Sequence, residues 1–205
     1  MWSVVNNAGY PLAGPFEELE DTKLRAQFEV NFFAAANVLR AALPHLRAAK
    51  AGRVLQTSTL GGQIGALGMS ASHTAGKHAL EGLGVSLAAE LTPLGIRTAI
   101  VEPGAIGIDF RANWASRLHS SAAVPDYLSV REALTRSADA AGGQVGDPAR
   151  MAQALVALTD MPSAPLRLPL GSDALVGIEN ARSGQLQELR RFATLSASTD
   201  HTKAI

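Results

Sequence analysis

Short β-prone apolar runs alternate along this chain with longer stretches in which apolar positions recur every three or four residues, the mark of strands separated by helices. Trp2 to Val5 is the first such run, and Asn6-Asn7-Ala8-Gly9 ends it with polar and glycine residues. Asp21 is placed to cap a helix whose apolar stripe is Leu24, Phe28, Phe32, Ala35, Leu39, Ala42 and Leu46. Gly52 to Thr59 reads as a second strand, followed by a glycine-rich turn from Leu60 to Gly68. A second long helix is predicted from about Ser72 to Leu91, with Leu80, Leu83, Leu87 and Leu91 as its stripe and Gly95 placed to end it. Ile96 to Val101 is a third strand, closed by Glu102-Pro103-Gly104.

Beyond that point the pattern weakens. Residues 105–146 have little periodicity and carry Phe110, Trp114, His119 and Tyr127, which predicts a long functional loop or a small helical cap. Asp147-Pro148 then starts a helix, with a capping residue and a first-turn proline in the favoured order, running through Met151, Leu155 and Leu158. Leu166 to Leu170 is a last short strand, and a helical tail begins at Ser172. Strand, helix and strand joined by short links predict right-handed parallel crossovers, hence an α/β fold with helices flanking one parallel sheet. The chain has 205 residues, enough for one core; residues 1–195 are expected to form a single domain and the polar end 196–205 a flexible tail.

Composition narrows the function classes. Acidic and basic side chains number 18 each, so no net charge favours nucleic acid. The absence of cysteine removes thiolate chemistry and disulfides, and the five histidines have no metal-ligand spacing. No segment has the length and apolarity of a membrane span, and the start Met1-Trp2-Ser3-Val4-Val5 lacks signal-peptide character, so the cytoplasm is the default compartment.

Several residues now carry a resemblance. Asn6-Asn7-Ala8-Gly9 after a strand, Asn31 on the next helix, Thr57-Ser58-Thr59 at the second strand end, Lys77 on the following helix and Pro103-Gly104 after the third strand resemble, in order and spacing, the short-chain dehydrogenase/reductase family. Gly146-Asp147-Pro148 and Leu166-Arg167-Leu168-Pro169-Leu170-Gly171 look like its retinol and steroid dehydrogenase branch. The resemblance implies a Rossmann-like doubly wound parallel sheet and NAD- or NADP-dependent alcohol/ketone oxidoreduction. It implies that Asn7, Ala8, Gly9, Lys77, Pro103 and Gly104 bind the cofactor. Asn31, Ser58, Thr59 and Lys77 would carry the catalysis, with a tyrosine four residues before the lysine. A small apolar alcohol or carbonyl compound is the implied substrate, and the two long helices are the implied contact of a homo-oligomer.

This chain departs from the family pattern in three places. The residue four before Lys77 is His73, and the only tyrosines are Tyr10 and Tyr127, so no Tyr-x-x-x-Lys exists. Counting back from Lys77 puts His73 in the tyrosine's place; counting forward from Thr59 puts Ser72 there. The Gly-x-Gly-x-x-Gly turn is missing, so the sheet is expected to be partial, lacking the first strands, with the Trp2–Val5 strand left at an edge. Gly62 to Gly68 is read as a flexible loop, not a displaced phosphate site. The third departure is Ile108, where the family has a threonine. An impaired oxidoreductase is therefore expected, with two alternatives: an active reductase in which His73 replaces tyrosine, or a non-catalytic pseudoenzyme that forms oligomers. Two coupled losses predict that His73→Tyr alone restores no turnover.

Each site residue also has a plain structural reading. Asn31 serves equally as a buried amide bonded to backbone. Ser58 and Thr59 serve as polar strand ends, with Thr59 slightly favoured as the catalytic hydroxyl. Lys77 serves as a snorkelling surface lysine, and Phe110, Trp114 and Tyr127 as core.

Overall fold

The structure is a computed structural model that describes residues 2–65, 69–107, 123–139 and 146–201. Ile108, Phe110, Trp114 and His119 lie outside the described residues.

Four parallel strands form one sheet in sequential order: β1 (Ser3–Asn6), β2 (Gly52–Thr57), β3 (Ile96–Pro103) and β4 (Arg167–Leu170). The β-branched and apolar residues of β2 and β3 are almost continuously buried, as expected for central strands covered on both faces. One face meets the two long helices. Leu39 and Leu46 of α2 (Ala34–Ala49), Val54 of β2, Leu87 and Leu91 of α3 (Ala71–Leu91) and Ile96 of β3 form a single cluster. On the opposite face Leu55, Ala99 and Val101 pack against Leu158 of α5 (Pro148–Asp160). Successive residues of β2 thus serve opposite layers, the period-two rule at work. β1 pairs with β2 alone and sits at the sheet edge, with Trp2 73% exposed.

α1 (Asp21–Phe28) runs into α2 through five residues of π-helix, Glu29–Phe33, which hold Asn31 at their centre. Periodicity alone does not reveal this irregularity, since one widened turn barely disturbs the stripe. Asp21 is the first helical residue and not the cap: Glu20 is the N-cap, and the Asp21 carboxylate pairs with Arg25 at 2.7 Å. The predicted cap at Asp147 is real, its carboxylate accepting from the backbone of Ala149 at 2.8 Å and of Arg150 at 3.3 Å. β2 stops at Thr57, two residues before the predicted end. β3 continues two residues past the predicted end, to Pro103, because Ile100–Pro103 pair with Arg167–Leu170, a long-range contact no local signal announces.

The weakly periodic region contains α4 (Leu128–Asp139) behind a short 3-10 turn at Pro125–Tyr127. The tail forms α6 (Ser172–Arg191) and a short α7 (Ala193–Ala197), so regular structure passes Ser196. No helix among the described residues is long and apolar enough to cross a membrane.

Candidate active site at the strand ends

The loops after β1, β2 and β3 converge with the first turns of α3 and α6 on one cavity of about 640 Å³. Asn7, Gly9, Ser58, Thr59, His73, Lys77, Pro103 and Gly104 all line it. This is the carboxyl edge of a parallel sheet, where α/β folds gather ligands. α5 supplies an apolar wall through Met151, Ala152 and Leu155. Ala8 and Asn31 do not line the cavity; Tyr127 does not either, and its hydroxyl donates to Glu17 at 2.9 Å.

Asn31 works from behind. It is buried, and its amide accepts from the Tyr10 backbone N–H at 2.9 Å and donates to the Tyr10 carbonyl at 3.0 Å. Gln27 adds a second donor to that carbonyl at 3.3 Å. Two side-chain amides thereby take the role of a neighbouring strand for the segment that leaves β1. Gly9 then passes so close that a Cβ there would stand 3.1 Å from Asn31 Oδ1 and 3.4 Å from Lys77 Nζ. Glycine keeps the backbone against both groups.

Lys77 is 5% exposed, and its ammonium donates to the Thr57 carbonyl at 2.8 Å, so it is no snorkelling surface lysine. Burial pulls its pKa from 10.5 down to about 8, opposed by the Glu81 carboxylate one helical turn on. His73 sits one turn before Lys77 on the same helix. Burial first, then the Lys77 charge, hold its imidazole down at about 4, while a hydrogen bond to the Tyr10 backbone opposes the fall. At neutral pH the ring is uncharged.

Of the two registers open in the sequence, the cavity wall carries His73. Ser72 is turned away: its hydroxyl donates to the Leu12 carbonyl at 3.0 Å and lies 2.9 Å from Ser70 Oγ, which also reaches Leu12. Thr59 and Ser58 separate as clearly. The Thr59 hydroxyl donates to the Pro103 carbonyl at 3.2 Å, whereas Ser58 Oγ is buried with no hydrogen-bond partner among the described residues. The turn after β2 begins in regular structure. Leu60–Gly62 form a 3-10 turn, and Gly62 packs so tightly that a Cβ would overlap Ser58 Oγ and come within 3.2 Å of Glu81 Cγ.

Sequence reading missed Asp173. It stands in the first turn of α6, lines the cavity and accepts from the Ala105 backbone N–H at 2.7 Å, while a Cβ on Gly104 would overlap its carboxylate. Pro103-Gly104 is therefore pinned from beneath by a residue far along the chain. Also missed were Glu81 and Glu102, both buried, which share the Nε of Arg167 at 3.0 and 3.4 Å. Glu81 did carry a signal, four residues after Lys77 on the same helix face.

A parallel α/β sheet with a cavity at its carboxyl edge, lined by a lysine, a hydroxyl pair and glycine-bearing strand-end loops, defines a doubly wound α/β fold with its ligand site in the usual place. The family model described as short chain dehydrogenase matches residues 1–118. The chain belongs to the short-chain dehydrogenase/reductase family. An oxidoreductase from Botryotinia fuckeliana is 36% identical over 177 residues, 84% of this chain and 62% of that protein. The crystal structure of a short-chain dehydrogenase from Streptomyces avermitilis is 34% identical, with a TM-score of 0.84 over 98% of this chain and 72% of that one. A 3-oxoacyl-[acyl-carrier protein] reductase from Brucella melitensis, solved with bound NAD, is 26% identical with a TM-score of 0.59 over 82% of this chain and 60% of that one. The chain spans 60–66% of the length of three curated oxidoreductases that it matches, from Botryotinia fuckeliana, Bacillus subtilis and Schizosaccharomyces pombe.

Proposed function

We propose that this site takes the nicotinamide end of NAD or NADP beside a small apolar alcohol or carbonyl compound, and that turnover by phenol-driven proton transfer is weak or absent. The observation that carries this reading is His73 on the cavity wall one turn from Lys77, neutral at physiological pH. A neutral imidazole holds no surplus proton. Giving up its remaining N–H would leave an imidazolate, so it is no substitute for a phenol as acid near pH 7, and a ring with pKa about 4 is a weak base in the opposite direction.

The residues present fit the nicotinamide ribose. The Lys77 ammonium has three donors, and the Thr57 carbonyl is one acceptor for them. Asn7, Gly9 and Pro103–Ala105 form a wall of the kind a flat ring needs. When bound, the nicotinamide would supply or accept the hydride. Lys77 would hold the ribose, Ser58 or Thr59 would orient the substrate oxygen, and Met151 and Leu155 would exclude water from its apolar part.

Fluorescence titration with NADPH and NADH, followed by carbonyl turnover across pH, tests the reading. Saturable binding with no turnover above background at pH 7 is expected. Turnover at pH 7 with rates matching binding would overturn it, as would absence of binding. A rate that rises only as pH falls toward 4 would favour His73 acting as the acid.

A further inference from the structure

Two hydroxyls on the cavity wall give their protons to the protein's own backbone. Thr57, Ser58 and Thr59 all line the cavity, but Thr57 Oγ1 and Ser58 Oγ are themselves buried, the latter beneath Gly62. The half-buried Thr59 therefore brings the strand-end hydroxyl to the cavity, and its proton goes to the Pro103 carbonyl at 3.2 Å. Ser70, also on the wall, donates to the Leu12 carbonyl. The neutral His73 ring has a single N–H; its bond to the Tyr10 backbone favours the protonated ring, so that proton too is spent on a carbonyl.

A frame of side chains holds the Thr59–Pro103 bond. Beyond Thr59, Gln63 donates to Glu102, the residue before Pro103, and its carbonyl accepts from Arg182 of α6 at 2.7 and 3.0 Å. Asp173 of the same helix takes the Ala105 N–H at 2.7 Å. Gly177 passes so near the turn that a Cβ there would stand 3.0 Å from Leu60 Cδ1. The turn after β2 and the end of β3 are thus tied to each other and to α6, which fixes where the Thr59 hydroxyl sits relative to its acceptor. A hydroxyl that has donated its proton still offers lone pairs.

We propose that the polar group this cavity selects is an alcohol hydroxyl and not a carbonyl oxygen: Thr59, its proton committed to Pro103, meets the ligand as an acceptor, and a carbonyl has no proton to give it. This rests on the proposed reading of the cavity as a site for a small apolar alcohol or carbonyl compound, and it decides between the two. Lys77 is the strong donor on the wall, but its ammonium is seated on the Thr57 carbonyl and, in that reading, holds the ribose. A carbonyl compound engages Thr59 only by turning the hydroxyl over and giving up the Pro103 bond, which is worth about a fivefold difference in affinity.

Ligand-observed NMR titrations of cyclohexanol and cyclohexanone against the full chain test it, because the two share a skeleton and differ in the hydrogen-bond role their oxygen can take. Cyclohexanol should bind the wild type more tightly. The ratio of the two affinities should fall about fivefold in Thr59→Val, which keeps the shape of the side chain and removes the acceptor. Thr59→Ser, which keeps the hydroxyl, should hold the wild-type ratio. A wild-type preference for cyclohexanone overturns the proposal, as does a ratio that Thr59→Val leaves unchanged. If Thr59→Val does not fold, Thr59→Ala read against Thr59→Ser makes the same comparison. Either of those results leaves the small apolar ligand reading standing, whereas failure of both compounds to bind strikes that reading together with the proposal. No cofactor enters the titration, so it stands apart from the NADPH measurement.

Discussion

His73 and Lys77 are titratable groups that burial forces toward neutrality, and both consequences are measurable. His73 takes up its proton at about 6.5 in the unfolded chain and about 4 in the folded one. Between those values the unfolded chain binds more protons, so stability is unaffected above pH 6.5 and falls as pH drops toward 4, by roughly 3 kcal/mol across the window. His73→Asn should flatten the dependence of the melting temperature on pH in that range; an unchanged slope would mean the ring is not buried as described. Lys77→Met removes a costly buried charge and one hydrogen bond to Thr57. The substitution also takes a buried donor from the Thr57 carbonyl and a cation from the buried Glu81 carboxylate, so calorimetry at pH 7 should show a loss of about 1–3 kcal/mol together with lost NADPH binding. An unchanged melting temperature would contradict this account. The same two residues show how far residue types can be read locally. Lys77 and His73 stand out by motif spacing, but Asp173 does not, because the chemistry that matters is its contact with Ala105, 68 positions away.

At the scale of elements, α3 is the hinge between core and site. Its N-terminal turns carry His73 and Lys77, and its later turns pack on β3 through Gly84, where an added Cβ would lie 2.8 and 2.9 Å from Ile100 Cγ1 and Cδ1. Gly84→Val should therefore cost about 1–3 kcal/mol in urea unfolding, in spite of its better backbone entropy, and should loosen the site without touching it. Equal stability would show that helix and strand part easily. The helices and strands themselves were legible because their apolar periods are local. Three details were not: the π turn at Asn31, the early end of β2 and the extra residues of β3. The extra residues of β3 are set by pairing with β4, distant in sequence, and Asn31 within the π turn is bonded to the Tyr10 backbone.

For the whole molecule, the described residues 123–139 reach the cavity at Ser137 and are tied to Glu17 and Glu18 by hydrogen bonds and an ion pair. Glu18 accepts from Arg131 of α4 and from the Val124 backbone N–H at 2.9 Å, and Arg131 also donates to the Val124 carbonyl at 3.0 Å. Arg131→Met would remove the cationic partner of the fully buried Glu18 carboxylate, leaving the Val124 N–H on it, and should cost about 3 kcal/mol, the low end for such pairs because 24% of the Arg131 side chain is exposed. Hydrogen exchange should then rise selectively in residues 123–139; uniform change across the chain would show that the pair supports the core, not this segment.

By itself the sequence determined the alternation of strand and helix, the parallel sheet, the family and the absence of a Tyr-x-x-x-Lys pair, because period, turn residues and motif spacing are properties of neighbouring positions. Tertiary structure alone decided that His73 and not Ser72 faces the cavity, that Lys77 is buried against Thr57, and that Glu81, Glu102 and Arg167 share one buried cluster. Those outcomes depend on desolvation and on partners brought together by sheet pairing, which no local pattern encodes.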